Sequence, residues 1–327
     1  MSSDLIRELT TRPDLTKPRW DQSTFEGRLR HFFAVTNPLN LLATNKELEE
    51  SKQIIEEYRK GKLHRSDLTV EELWKAQHLY DSAFHPETGE KQVLVGRMSA
   101  QVPANMVLTV GLLNFHSRKS SVIFWQWLNQ TFNAVVNYTN RSGEHVAERD
   151  QLFQAYCCAT GGATACALYL NLLAPKLPRL FKRLVPFWAI AVSNLINIPM
   201  MRSKEFTEGI VLEDEHEQKV GSSRKVVPHA IFQVIISRIA MEIPDLVFIP
   251  LVINVLERKY WFRSRPWLNV LTQSTMCGFL LSFATPSCCA LFPQMVAVKV
   301  ENLEPEVRRE IEARPIPPKI VYYNKGL

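Results

Sequence analysis

Residues 120–140 read SSVIFWQWLNQTFNAVVNYTN, a stretch without a charged residue, long enough to cross a bilayer and dense in side-chain amides. On a helix turning about 100° per residue, Gln126, Asn129, Gln130, Asn133, Asn137 and Asn140 fall within an arc of about 120°, and Arg141 closes its edge. Trp125, Trp127, Leu128, Phe132, Val135 and Val136 occupy the other faces. Such a helix can turn its apolar back to lipid or protein and its amide front to a hydrated or ligand-filled cavity, which is what a solute pathway needs. A soluble helix would instead bury the Trp/Phe face and leave the amides in water, so the rest of the chain decides.

The mean hydropathy of the 327 residues, −0.11, is low for a membrane protein because it averages two unlike parts. Residues 1–97 are dense in charge of both signs and are expected to form a soluble helical N-terminal region. Residues 98–298 hold the uncharged windows 98–117, 120–140, 151–175, 184–201 and 266–298, most of which approach or exceed the roughly 17–25 residues of a membrane helix. A sixth apolar region, 226–256, carries Arg238, Glu242, Asp245 and one histidine. The expected architecture is all-α: a multi-pass helical membrane protein with about five transmembrane helices in 98–298, a small helical N-terminal extension and a tail from 299 to 327. In the window 153–175, Ala159, Gly161, Gly162, Ala163, Ala165 and Ala167 favour close helix approach in lipid, whereas interior glycines would cost a soluble helix about 1 kcal/mol each.

Loop charges orient these spans. Residues 175–184 carry Lys176, Arg179, Lys182 and Arg183 without an acid, and 257–265 carry four bases against one acid. Between them, 202–225 mixes bases with Glu205, Glu208, Glu213, Asp214, Glu215 and Glu217. The positive-inside rule puts the two basic loops on the cytoplasmic side or its equivalent, the mitochondrial matrix, and the tail on the acidic side. The N-terminal region joins the basic side if 98–140 supplies one crossing and the acidic side if it supplies two. The first fifteen residues lack the apolar core of a cleaved signal, and Asp4, Glu8 and Asp14 do not suit a transit peptide, so targeting is expected to be internal.

The six cysteines sit inside apolar spans without C-x-x-C spacing and read as packing thiols. Thr44 with Glu47, and Thr69 with Glu72, predict two capping boxes, each opening a short helix. His85-Pro86-Glu87-Thr88-Gly89 is a turn by chemistry. Asp81, His85, Glu87 and Glu90 suggest a metal set, but a lone histidine among carboxylates is more often a turn or capping residue, and no metal or cofactor is expected. No G-x-S-x-G, Walker loop or G-x-G-x-x-G occurs, which speaks against an enzyme.

Long strings throughout the chain, among them KPRWDQSTFEGRLRHFF, YDSAFHPETGEKQVLVGRMSAQVP, FWQWLNQTFNAVVNYTNRSG, NLINIPMMR, FATPSCCALFPQ and YYNKGL, are similar to the sideroflexins, multi-pass proteins of the mitochondrial inner membrane. The pattern most resembles the members that carry serine for one-carbon metabolism, with Glu87 where HPDTG is the commoner form and NPLN at 37–40 where close relatives have a DPRN-like string. The resemblance implies an odd number of crossings, a matrix-facing N-terminus, a C-terminus in the intermembrane space, and transport of serine, alanine, glycine or cysteine. No nucleic-acid partner is expected, and some relatives are instead thought to assist respiratory-chain assembly or iron handling as membrane scaffolds. It supplies no binding site, so the site rests on chemistry. Gln126, Asn129, Gln130, Asn133 and Asn137 offer both donors and acceptors to a zwitterion, and Asn194 and Asn197 add a second amide pair before the helix-breaking Pro199. Arg238 and Glu242, four apart, can form an ion pair or a gate, or Glu242 can meet the substrate ammonium.

Overall fold

The computed structural model describes residues 13–15, 17–60, 68–85, 89–115, 118–139, 149–173, 176, 178, 184–216 and 218–326. Near the start, α1 (Phe25–Val35), α2 (Asn45–Arg59) and α3 (Val70–Ala83) pack together, with α2 and α3 each opened by a capping box. In both boxes the threonine accepts from the glutamate N–H, and the glutamate carboxylate accepts from the threonine N–H, at 2.7 Å in one and 2.8 Å in the other. Leu48, Ile55, Trp74, Tyr80 and Phe84 form the core between them.

Six helical traverses follow: α4 (Gln101–Asn114), α5 (Lys119–Thr139), α6 (Arg149–Leu173), α7 (Val185–Met201), a broken helix and a final long helix. After α7 come a short α8 (Ser203–Glu208) and the strands β1 (Ile210–Glu213) and β2 (Lys219–Ser223). The broken helix is α9 (Val227–Ile243), a π-helical turn Pro244–Phe248, and α10 (Ile249–Leu256). Then α11 (Tyr260–Arg263) leads into α12 (Pro266–Cys289), β3 (Met295–Lys299), α13 (Pro305–Glu312) and β4 (Ile320–Asn324). The tightest seam is α6 on α7. Ala155, Ala159, Ala163 and Ala167, one per turn, are all buried, and a stripe of methyl groups lets two backbones approach closely.

The all-α expectation is corrected by a four-stranded antiparallel sheet of order β2-β1-β4-β3. The window 266–298 is not one helix. Its helix ends at Cys289, and Pro293, which has no N–H and restricts the residue before it, separates α12 from β3. β4 pairs with β1 across more than a hundred residues, joining Leu212 to Tyr323 over a core that includes Val220, Val300, Ile311 and Val321. Glu304 fastens the tail to the start of α9. Its carboxylate accepts from Ser223 Oγ (2.6 Å) and from the N–H groups of Arg224 and Lys225 (both 2.7 Å). Burial pushes that carboxyl up, but these hydrogen bonds outweigh it and hold it below the usual range.

The N-terminal helices and the sheet cap the same end of the bundle. Arg28 of α1 reaches Ala290 at the end of α12, and the buried Lys325 lies within electrostatic reach of Arg28, Arg202 and Arg238. Burial above all, with these cations adding, lowers the Lys325 ammonium to about 8. The described N-terminal and C-terminal segments thus meet at one end of the bundle, whereas the expectation was for opposite sides of the membrane. The exposed cations Arg118 and Lys119 interrupt the apolar run, and the chain reverses there, so α4 and α5 make an antiparallel pair and two traverses instead of one. By length and composition, two helical stretches among the described residues suffice to cross a membrane, Phe153–Leu173 and Val227–Leu256, while α7 is apolar but has 17 residues.

Candidate functional site

Helix α5 is inside out for a protein in water. Gln126 is 1% exposed and Asn129 and Gln130 are also buried, whereas Ile123, Phe124, Trp127 and Tyr138 are exposed on the opposite face. Packing against both neighbours fixes this rotation. Val122 is buried with Ala167, Val185 and Ala189 of α6 and α7, and Trp125 lies over Gly111 of α4, where a Cβ would overlap its ring. Thr131 Oγ1 donates to the Trp127 carbonyl (2.8 Å) and meets the Tyr156 hydroxyl of α6 at 3.0 Å, and Thr139 Oγ1 reaches the Gly96 carbonyl (3.1 Å).

The inward amides are only partly satisfied. Gln126 Oε1, Asn129 Nδ2 and Gln130 Nε2 are buried without a hydrogen-bond partner among the described residues. Each such group costs about 1–3 kcal/mol when nothing meets it, so three on neighbouring turns mark a surface suited to a polar ligand. Asn133 is half-buried on the same face, and the Asn137 side chain lies outside the described residues. On α7, Asn197 is buried and Asn194 half-buried. Pro199 sits inside that helix and brings no N–H, which frees the carbonyl of Leu195. Among the described residues no hydrogen bond joins Asn194 or Asn197 to the α5 amides.

A second polar locus lies where α9 breaks. Arg238 and Glu242 are both half-buried, and Arg238 acts electrostatically on Glu242. Three residues on, Asp245 in the π-helical turn is 1% exposed. Its Oδ2 accepts from Cys277 Sγ of α12 at 3.5 Å, its Oδ1 has no partner among the described residues, and the Cys277 thiol also meets the Thr109 side chain of α4. Leu246 packs with Leu112, Ile190 and Trp125, so this turn touches the wall from which the α5 amides project. Toward the far end, Asn114 donates to Gln273 (2.6 Å) and Gln273 to Asn269 (2.6 Å) across α4 and α12.

The turn motif stands apart from both loci, at the capped end. His85 N–H donates to the Glu90 carbonyl (2.8 Å), Gly89 N–H to the His85 carbonyl (2.9 Å), and Lys52 Nζ to the Gly89 carbonyl (3.0 Å). Gly89 has φ +65°, where a side chain would be strained, and Pro86, Glu87 and Thr88 lie outside the described residues.

A sequence model of the sideroflexins matches residues 14–327, the whole of this bundle and both of its caps. The chain belongs to the sideroflexin family. It is 51% identical over 329 residues to Sideroflexin-1.1 of Caenorhabditis elegans, covering 99% of this chain and all of that relative. It is 52% identical to Sideroflexin-3 of Mus musculus (96% of this chain, 98% of the relative) and 48% identical to Sideroflexin-1 of Sus scrofa (98% and 99%). No solved structure matches it. In this sideroflexin, sequence reasoning missed Asp245 and Gln273 as site residues. For Asp245 a signal was present: a carboxylate directly after a proline in an otherwise apolar run announces a broken helix with a charge at the break.

Proposed function

We propose that this sideroflexin is a multi-pass carrier of the mitochondrial inner membrane that moves serine and other small neutral amino acids, including alanine, glycine and cysteine, and so supplies one-carbon metabolism. One observation carries the reading: α5 buries unpartnered amides and exposes Ile123, Phe124 and Trp127. Burying a polar face while exposing an apolar one is unfavourable in water and favourable when lipid surrounds the bundle. Exposed Phe153, Tyr169, Trp188, Leu195, Phe232 and Phe279 extend the same apolar exterior over four more helices.

A zwitterion entering the bundle exchanges water for fixed donors and acceptors. The α5 amides, Gln126, Asn129, Gln130, Asn133 and Asn137, offer both without net charge, which suits serine, alanine, glycine and cysteine alike. Asn194 and Asn197 with the freed carbonyl before Pro199, and the Arg238–Glu242 pair as a gate, complete the proposed path. The test is uptake of labelled serine by liposomes containing the purified protein, beside empty liposomes and an Asn133→Leu version. The reading expects uptake by the wild type and a marked loss in correctly inserted Asn133→Leu. No uptake by folded wild type would favour a membrane scaffold, and unimpaired uptake by the variant would remove Asn133 from the path.

A further inference from the structure

The π-helical turn places a carboxylate in the bundle interior. Asp245 sits near the middle of the broken helix, and both Cys277 and Thr109 belong to the middle turns of α12 and α4. Gln126, Asn129 and Gln130 occupy the middle turns of α5, so the amides and this carboxylate share one level of the bundle. α12 runs antiparallel to the broken helix, with Cys277 beside Asp245 and Cys289 within reach of Arg238.

The titratable groups that act on Asp245 are Glu242 on its own helix and Cys277 on α12, and Arg238, one turn before Glu242, acts on Glu242. The neighbouring guanidinium thus serves Glu242. The Cys277 thiol is a weak donor and occupies only Oδ2. A buried carboxylate oxygen without a partner is tolerated where a cationic group arrives to meet it. A π-helical segment, rare in itself, is a common device for turning such a group into a functional interior.

We infer that Asp245 is the subsite for the ammonium group of the transported amino acid. This rests on the carrier reading above and adds the polarity of binding: the ammonium turns toward the broken helix, and the carboxylate and side chain turn toward the α5 amides. An ammonium brings three donors to a carboxylate whose Oδ1 has none among the described residues, whereas a hydroxy acid of the same shape brings no cation.

The experiment is serine uptake by proteoliposomes of wild type, Asp245→Asn and Asp245→Glu, at several serine concentrations and with and without a pH gradient. Glycerate, which is serine with hydroxyl in place of amine, serves as competitor. The assignment expects KM for serine to rise at least tenfold in Asp245→Asn, which removes the charge, and less in Asp245→Glu, which keeps it, with glycerate a weak competitor of the wild type. The glycerate arm needs no variant, so it carries the test if Asp245→Asn does not fold, and glycerate that competes as well as unlabelled serine overturns the assignment. An unchanged KM in the folded variants overturns the subsite while leaving the carrier intact. Loss of the response to the pH gradient with KM unchanged overturns it in favour of proton carriage by Asp245. Absence of uptake by the wild type overturns the carrier reading and this assignment with it.

Discussion

Arg28 Nε donates a 2.8 Å hydrogen bond to the carbonyl of Ala290, 262 residues away, and thereby ties the first described helix to the end of the last traverse. The same guanidinium donates from Nη1 to the carbonyls of Gln22 (2.9 Å) and Ser23 (2.8 Å). Arg28 is buried, so its fork spends three donors on backbone oxygens that water does not reach. Arg28→Ala is expected to lower stability by about 2–3 kcal/mol, since charge-assisted hydrogen bonds are the stronger ones and their removal strands buried carbonyls. Arg28→Lys recovers little of this, because an ammonium cannot present the fork. Thermal unfolding of the detergent-solubilised protein measures both.

That bond also implies a topology. With α1 and the sheet at one end of the bundle, single cysteines at exposed Asn45 and Glu312 are expected to react with an impermeant maleimide from the same side of the membrane. Labelling from opposite sides would show that α4 and α5 together make a single crossing.

Gly111 and Gly161 separate two uses of glycine. The Trp125 ring fills the space where a Gly111 side chain would stand, and that ring also stacks on Phe115 at 5.8 Å. Gly111→Ala forces the indole aside at a cost of about 1–3 kcal/mol. A Cβ at Gly161 meets nothing, so Gly161→Ala is expected to be neutral or to stabilise α6 by up to about 1 kcal/mol. Paired melting curves decide it, and equal losses in both would show that Trp125 is not fixed over Gly111.

Gln126 distinguishes a structural amide from one in a path. Its Oε1 is buried without a partner among the described residues, so Gln126→Leu relieves an unsatisfied group and is expected to leave stability unchanged or slightly raised. Serine uptake by the same variant is expected to fall at least tenfold. A variant that loses stability and transport together would mark Gln126 as part of the scaffold.

The N-terminal helices respond to pH through His78 and Asp81 with opposite signs. His78 is stacked on Trp20 at 5.1 Å, and burial, aided by the charges of His31 and Arg19 against that of Glu71, lowers it from 6.5 to about 4. Between those values the unfolded chain takes up a proton that the folded one refuses, so stability is lost as pH falls from 6.5 to 4. Relative to His78→Phe, which keeps a stacking ring, the wild type is expected to lose stability over that window. Burial raises Asp81 from 3.8 to about 6 despite the 2.7 Å bond from Gln77 and the nearby Arg59. Relative to Asp81→Asn, the wild type is therefore expected to lose stability as pH rises from 3.8 to 6. Unfolding midpoints of the three proteins across pH 4 to 7 measure both differences.

What the sequence determined by itself is local. The boxes of Thr44 with Glu47 and Thr69 with Glu72, and the angular clustering of amides on residues 120–140, depend on neighbours three to seven positions apart, and periodicity records such relations directly. The tertiary structure decided which way that amide face turns, because the rotation of α5 follows from Trp125 on Gly111 and Val122 among α6 and α7. It also decided the sheet, since 4–5-residue strands give a weak alternation and β1 acquires its partner β4 only when more than a hundred intervening residues fold back. The role offered to Asp245 is of the same kind. Pro244 announces a break, but only packing among α4, α9 and α12 leaves one oxygen on the Cys277 thiol and the other open, because burial belongs to the surroundings of a residue and not to its place in the chain.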